Sequence, residues 1–250
     1  MSRPMTASTS VCTSAATDPQ YGGSHSAVQH GRAKRRVAPA FALLAALLSL
    51  FAMSFPLAAL ASRPLRVVAL GDSLTAGYML PQDAAFPEQL EKALKAQGVA
   101  VEIQNAGVSG DTASQGLERL DWSVPDGTDA VIVELGANDA LRGVDPAVTR
   151  KALDEIIARL KARNIAVLLA GMYAPRNMGA DYVQAFDGIY RDLAAKHGVP
   201  LYPFFLDGIA GDRALNLQDG LHPNPQGVKV IVSRILPAVT SFLNTVKPGA

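Results

Sequence analysis

Cysteine is almost missing from this chain of 250 residues: Cys12 is the only one. A disulfide framework is therefore excluded, and so is a thiolate metal site. Histidine is scarce too, with four residues, His25, His30, His197 and His222. Only the last two lie beyond residue 61, too few with no cysteine beside them for a typical zinc site. No metal and no cofactor are expected. A surplus of one charge is also lacking, since 23 Lys and Arg face 22 Asp and Glu. Five of the basic residues and one acidic residue precede Ser62, leaving 18 against 21 and a formal charge of −3. Without a dense basic stripe, nucleic acid is not an expected partner.

What the chain does have is unevenly spread. Residues 1–31 are polar, rich in Ser, Thr, Gly and Ala and without hydrophobic period, and read as a disordered extension. Arg32, Lys34, Arg35 and Arg36 then precede an uninterrupted apolar run, Val37 to Ala61, ending in Ala59-Leu60-Ala61. A basic patch, an apolar segment and a small-residue ending make residues 32–61 a secretory signal, with cleavage expected after Ala61. A retained membrane anchor is the alternative, because the run is about the ~20 residues a bilayer needs. Either way the positive charge stays on the cytoplasmic side and the remainder is exported, to the periplasm or beyond. Membrane contact is expected only through an uncleaved leader.

From Ser62 to Ala250 the pattern is that of one domain. Runs rich in β-branched residues predict strands at Leu65–Gly71, Val99–Asn105, Ala130–Gly136, Ile165–Met172 and Val199–Tyr202. Helical periods between them predict helices at Ala84–Gln97, Ala113–Leu120, Asp145–Arg163, Asp181–Lys196 and Pro225–Leu243, the last with a possible kink at Pro237. Apolar strands alternating with helices imply a three-layer α/β/α domain around a parallel sheet.

Small and polar residues cluster just after predicted strands, where open α/β sheets bind ligands. The blocks are Gly71-Asp72-Ser73-Leu74, Asn105 to Thr112, Gly136-Ala137-Asn138-Asp139 and Asp219-Gly220-Leu221-His222-Pro223. Within them, His222 lies outside any apolar period, whereas His197 fits the last turn of a helix capped by Gly198. Asp219, three residues before His222, is close enough on a turn to orient the imidazole. Ser73 directly follows a strand and is the candidate nucleophile, its competing role being a helix N-cap. The residues are not the G-x-S-x-G elbow, since position 75 is Thr75. Gly107 or Gly110 could offer a backbone N–H to an oxyanion, and Asn138 a side-chain amide.

Gly71-Asp72-Ser73-Leu74 resembles the motif that names the GDSL family. With the Gly, Asn and His blocks in order, the chain is similar to the SGNH hydrolases over nearly all of Leu65 to Leu243. The strings GDSLTAGY, NAGVSGDT, VELGANDALRG and DGLHPN resemble the bacterial thioesterase, lysophospholipase and arylesterase branch. The resemblance implies a flavodoxin-like sheet of order 2-1-3-4-5 and a Ser73-Asp219-His222 triad. It also implies oxyanion donors from the Ser73 and Gly110 amides and the Asn138 side chain, selecting Gly110 over Gly107. Met172, Tyr173, Ala174 and Pro175 fall in a region that helps line the acyl pocket of relatives. The implied partner is a small acyl ester, thioester or lysophospholipid. A carbohydrate O-deacetylase on the same triad is the alternative enzyme. A non-enzymatic anion-binding protein is the alternative of another class.

Overall fold

The computed structural model describes residues 63–248. The polar extension, the signal or anchor segment and the cleavage point expected from the sequence all lie outside the described residues.

Five strands form one parallel sheet: β1 (Leu65–Gly71), β2 (Val101–Gly107), β3 (Ala130–Glu134), β4 (Ala166–Ala170) and β5 (Leu201–Tyr202). Their order is β2-β1-β3-β4-β5, as expected. All five residues of β3 are buried, which requires cover on both faces. In the edge strand β2 only Val101 and Ala106 are buried, the other positions being partly or fully exposed. β1 matches its apolar run, β2 lies two residues later than expected, and β3, β4 and β5 are shorter than their runs. β3 stops at Glu134 because Gly136, at φ 118°, turns the backbone into the following helix. β5 keeps only two residues, since Pro200 has no N–H to donate to the ladder.

Among the described residues eight α-helices surround the sheet: α1 (Ser73–Ala76), α2 (Phe86–Ala96), α3 (Ala113–Glu118), α4 (Leu120–Ser123), α5 (Ala137–Arg142), α6 (Pro146–Ala162), α7 (Ala180–His197) and α8 (Pro225–Leu243). They pack in two sets, α2 with α8, and α6 with both α3 and α7. The capping residues explain the boundaries. Asp145 accepts from the Ala147 amide at 2.9 Å ahead of Pro146 at the first turn of α6. α7 ends at Gly198 in the left-handed conformation. α8 is long and apolar enough to cross a membrane, but Val228, Ile231, Val232, Ile235 and Val239 are buried in the core. It continues through Pro237 to Leu243. Phe86 at the start of α2 meets Phe205 edge to face, centroids 4.9 Å apart.

The register sets the stage for the site. Gly71 is paired with Gly107 on one side and Glu134 on the other. Three of the four polar blocks therefore leave the sheet at one level, around β1, where the strand order reverses.

Candidate active site

Asp72 caps α1, its carboxylate accepting from the Leu74 amide at 3.0 Å, so Ser73 is the first helical residue and not the cap. Beneath this turn lies Glu134 at the end of β3. Its carboxyl accepts from the Thr75 hydroxyl at 2.7 Å and from the backbone N–H groups of Asp72 and Thr75. A Cβ on Gly71 would sit 2.1 Å from the Thr75 hydroxyl and 2.7 Å from Glu134, so only glycine leaves room for this support. The helix bond from Ala76 to the Asp72 carbonyl completes the set. Among the described residues, the Ser73 amide meets no protein acceptor.

Both supporting carboxyls are buried, and both hold protons more strongly than usual. Burial is the largest influence on Asp72, opposed by the Leu74 amide, Asn138 and the His222 charge; the balance lies at about 6. Burial and then the Asp72 charge push Glu134 well above the carboxylate range. Among the described residues its Oε1 has no hydrogen-bond partner, which a neutral carboxyl tolerates better than a carboxylate.

At the opposite end of the chain, the segment between β5 and α8 brings His222 to Ser73. Nε2 lies 2.9 Å from Ser73 Oγ, and Nδ1 lies 2.6 Å from Asp219 Oδ2. Asp219 Oδ1 meanwhile accepts from the Leu221 and His222 amides at 2.9 and 3.1 Å. Partial burial opposes ionisation of Asp219, but these two amides and the imidazole outweigh it and lower its pKa to about 2. An ionised Asp219 assigns the Nδ1 proton to itself and leaves Nε2 free to accept from the serine.

The loop after β2 separates the two glycine candidates. The Gly107 amide donates to Asn105 Oδ1 at 3.0 Å, and a Cβ there would lie 2.2 Å from the Ala76 nitrogen. Gly107 is thus a packing glycine. Gly110 has φ 89°, and among the described residues its amide meets no protein acceptor. Asn138, in the first turn of α5, donates from Nδ2 to Asp72 Oδ2 at 3.1 Å and to the Asp111 carbonyl at 3.0 Å. Both protons are engaged, so donation to a substrate requires one of these bonds to yield.

Arg119 carried no signal in the sequence. It is buried, binds Asp111 at 2.6 Å, and donates to the carbonyls of Gly71 and Ala106 at 2.7 and 2.9 Å. It ties the loops after β1 and β2 together from below. His197 ends α7 as read, with Nε2 2.5 Å from Asp154.

Beside Ser73 and His222 opens a cavity of about 540 Å³. Met172, Tyr173, Ala174 and Pro175 all line it, together with Leu141 and Phe204, which the sequence did not single out. Tyr173 stacks on Phe204 with centroids 4.6 Å apart. The segment is pinned where the Ala174 amide donates to Asp187 at 2.9 Å. Apart from the polar groups around Ser73, and Arg176 and Asn216, the wall is largely aliphatic and aromatic, a surface suited to an alkyl chain.

Known proteins resemble this chain in sequence and in fold. The sequence model of the GDSL-like Lipase/Acylhydrolase family matches residues 69–230. The arylesterase of Vibrio mimicus is 39% identical over 173 residues, 69% of this chain and 86% of that protein. The thioesterase 1/protease 1/lysophospholipase L1 of Escherichia coli K12 is 40% identical over 156 residues, 62% of this chain and 74% of its own length. Among solved structures, AlinE4, an SGNH-hydrolase family esterase, superposes with a TM-score of 0.62 at 44% identity, covering 72% of this chain and 97% of that one.

Proposed function

Since the chain belongs to the GDSL-like lipase/acylhydrolase family and is an ester hydrolase of the SGNH type, we propose that Ser73, His222 and Asp219 are its catalytic triad and that it works through an acyl-enzyme. The observation that carries this reading is the continuous chain of short contacts from Asp219 through His222 to Ser73 Oγ.

His222 Nε2 takes the hydroxyl proton as Ser73 Oγ bonds to the acyl carbon. The carbonyl π pair moves onto oxygen. The unoccupied amides of Ser73 and Gly110 receive this oxyanion, with the Asn138 amide as third donor once it releases Asp72 or Asp111. Collapse of the intermediate breaks the bond to the leaving alcohol or thiol, which takes the proton from His222. Water then attacks the acyl-enzyme with His222 again as base, returning the acid and a free Ser73. Asp219 keeps the tautomer and offsets the imidazolium charge.

The substrate class is an ester, thioester or lysophospholipid with an apolar acyl group, which the cavity wall accommodates. The largely apolar wall favours an acyl chain over a sugar acetate, and a binding protein without turnover is set aside by the family. Residues 32–61 direct export, as a cleaved signal or a retained anchor, and 62–250 form the exported hydrolase, periplasmic or secreted. Ser73→Ala is the test: near-background release of p-nitrophenol from its butyrate ester, a loss up to ~10⁶ in turnover, with an unchanged circular dichroism spectrum. Retained hydrolysis removes Ser73 from its role.

A further inference from the structure

Tyr78 has no part in the steps above, yet its ring lies 4.5 Å from the His222 imidazole, centroid to centroid, tilted by 37°. The chain takes a strained route to put it there. Gly77 ends α1 at φ 76°, and the Tyr78 amide donates to the Ser73 carbonyl at 3.1 Å. Met79 then adopts φ 57°, a backbone conformation that side chains disfavour. Leu80 closes the turn by donating to the Gly77 carbonyl at 2.9 Å. The path is not negotiable, because a Cβ on Gly77 would lie 2.4 Å from that of Ala85.

Burial of the two residues themselves does not explain the strain: Met79 is 78% exposed and Tyr78 41% exposed, and only Leu80 beyond them packs partly against the core. Besides seating Leu80, the turn brings the Tyr78 ring to His222, and backbone strain held beside such a group points to function.

His222 needs such a contact. Asp219 holds its Nδ1 at 2.6 Å and Ser73 its Nε2 at 2.9 Å. Both bonds lie at the ring's edge, on nitrogens on either side of it. They fix its position but permit rocking about the line between them. The third group acting on the ring is the Asp72 carboxyl, through charge alone.

We propose that Tyr78 is a positioning residue for His222: its ring seats one face of the imidazole, stops that rocking, and favours the imidazolium formed as Ser73 loses its proton. The inference rests on His222 being the base.

Three variants separate the parts. Tyr78→Leu keeps an apolar cover but has no π face. It lowers kcat about 3- to 10-fold with KM within about 2-fold, and moves the acid limb of kcat/KM down by roughly 0.3–0.7 pH unit. Tyr78→Phe restores both within about 2-fold, since the ring is what acts. Should the leucine variant not fold, Tyr78→Met, equally without a π face, makes the same comparison. His222→Ala is the control for the underlying reading: full activity there overturns the triad. Loss in His222→Ala beside a leucine variant equal to wild type overturns the role of Tyr78 alone. An upward shift of the acid limb, or a phenylalanine variant as impaired as leucine, overturns it too.

Discussion

Replacing Glu134 with glutamine changes a titratable group under the turn that carries Ser73 while nearly keeping its shape. In the folded protein this side chain is buried and holds its proton well above the ordinary carboxylate range, through burial and the Asp72 charge. A neutral carboxyl is close to an amide in size, and the amide oxygen can still accept from the Thr75 hydroxyl and the turn amides. At pH 4 the variant is expected to match wild type within about 1.5 kcal/mol, the range of one altered hydrogen bond. The difference then grows with pH. A raised folded pKa means that the wild-type residue contributes fully below its unfolded value near 4.5, and loses that contribution as pH climbs toward the folded value. Glutamine has no proton to lose. Relative to wild type it gains stability above pH 4.5, at up to about 1.4 kcal/mol per pH unit for one proton. For a domain of this size each kcal/mol is roughly 2–4 °C in Tm. Thermal unfolding of both proteins, followed by circular dichroism at pH 4, 5, 6 and 7, measures the slope. The contribution of Asp72 is common to both and cancels in first order. A flat difference across that window would place the proton elsewhere. A difference that falls with pH would reverse the sign and refute the reasoning.

Two further substitutions test the loops above Glu134. Asn138→Ala is expected to lower kcat ~10²- to 10³-fold with the fold retained, the usual cost of one oxyanion donor; an unaltered kcat on p-nitrophenyl butyrate means that the amide never leaves Asp72 and Asp111. Gly107→Ala places a Cβ 2.2 Å from the Ala76 nitrogen, between β2 and the helix bearing Ser73. It should lower stability by about 1–3 kcal/mol, as overpacking does, read as a drop in urea midpoint; an unchanged midpoint shows that β2 and α1 part without strain.

The long elements were legible because their periods run for several turns or along a whole buried strand. β1 was read from Leu65 to Gly71 and α8 from Pro225 to Leu243, and both stand at those bounds. The four-residue helices α1 and α4 are too short for a period to show, and neither they nor α5 is expected from the sequence. Ser73, Gly110, Asn138, Asp219 and His222 were legible as blocks at strand ends, with the family pattern deciding among them. Arg119 and Glu134 were not, for a physical reason. Glu134 reads as one more residue of an apolar strand, and its partner Thr75 lies 59 positions away. Arg119 acts on the Gly71 carbonyl, 48 positions away. Such roles exist only after the strands are in register. Leu141 and Phe204 join the cavity wall from different segments, and no local pattern links them to Met172.

The separation of Ser73 from His222, 149 positions along the chain, has a temporal consequence. The segment bearing the imidazole is moored by Asn224, which caps α8 and donates back to the Ala214 carbonyl at 2.8 Å. On the proposed triad, a growing polypeptide carries its hydroxyl long before its proton acceptor and stays inert until the segment bearing His222 follows. Esters and thioesters met along the way are then safe from it until α8 docks.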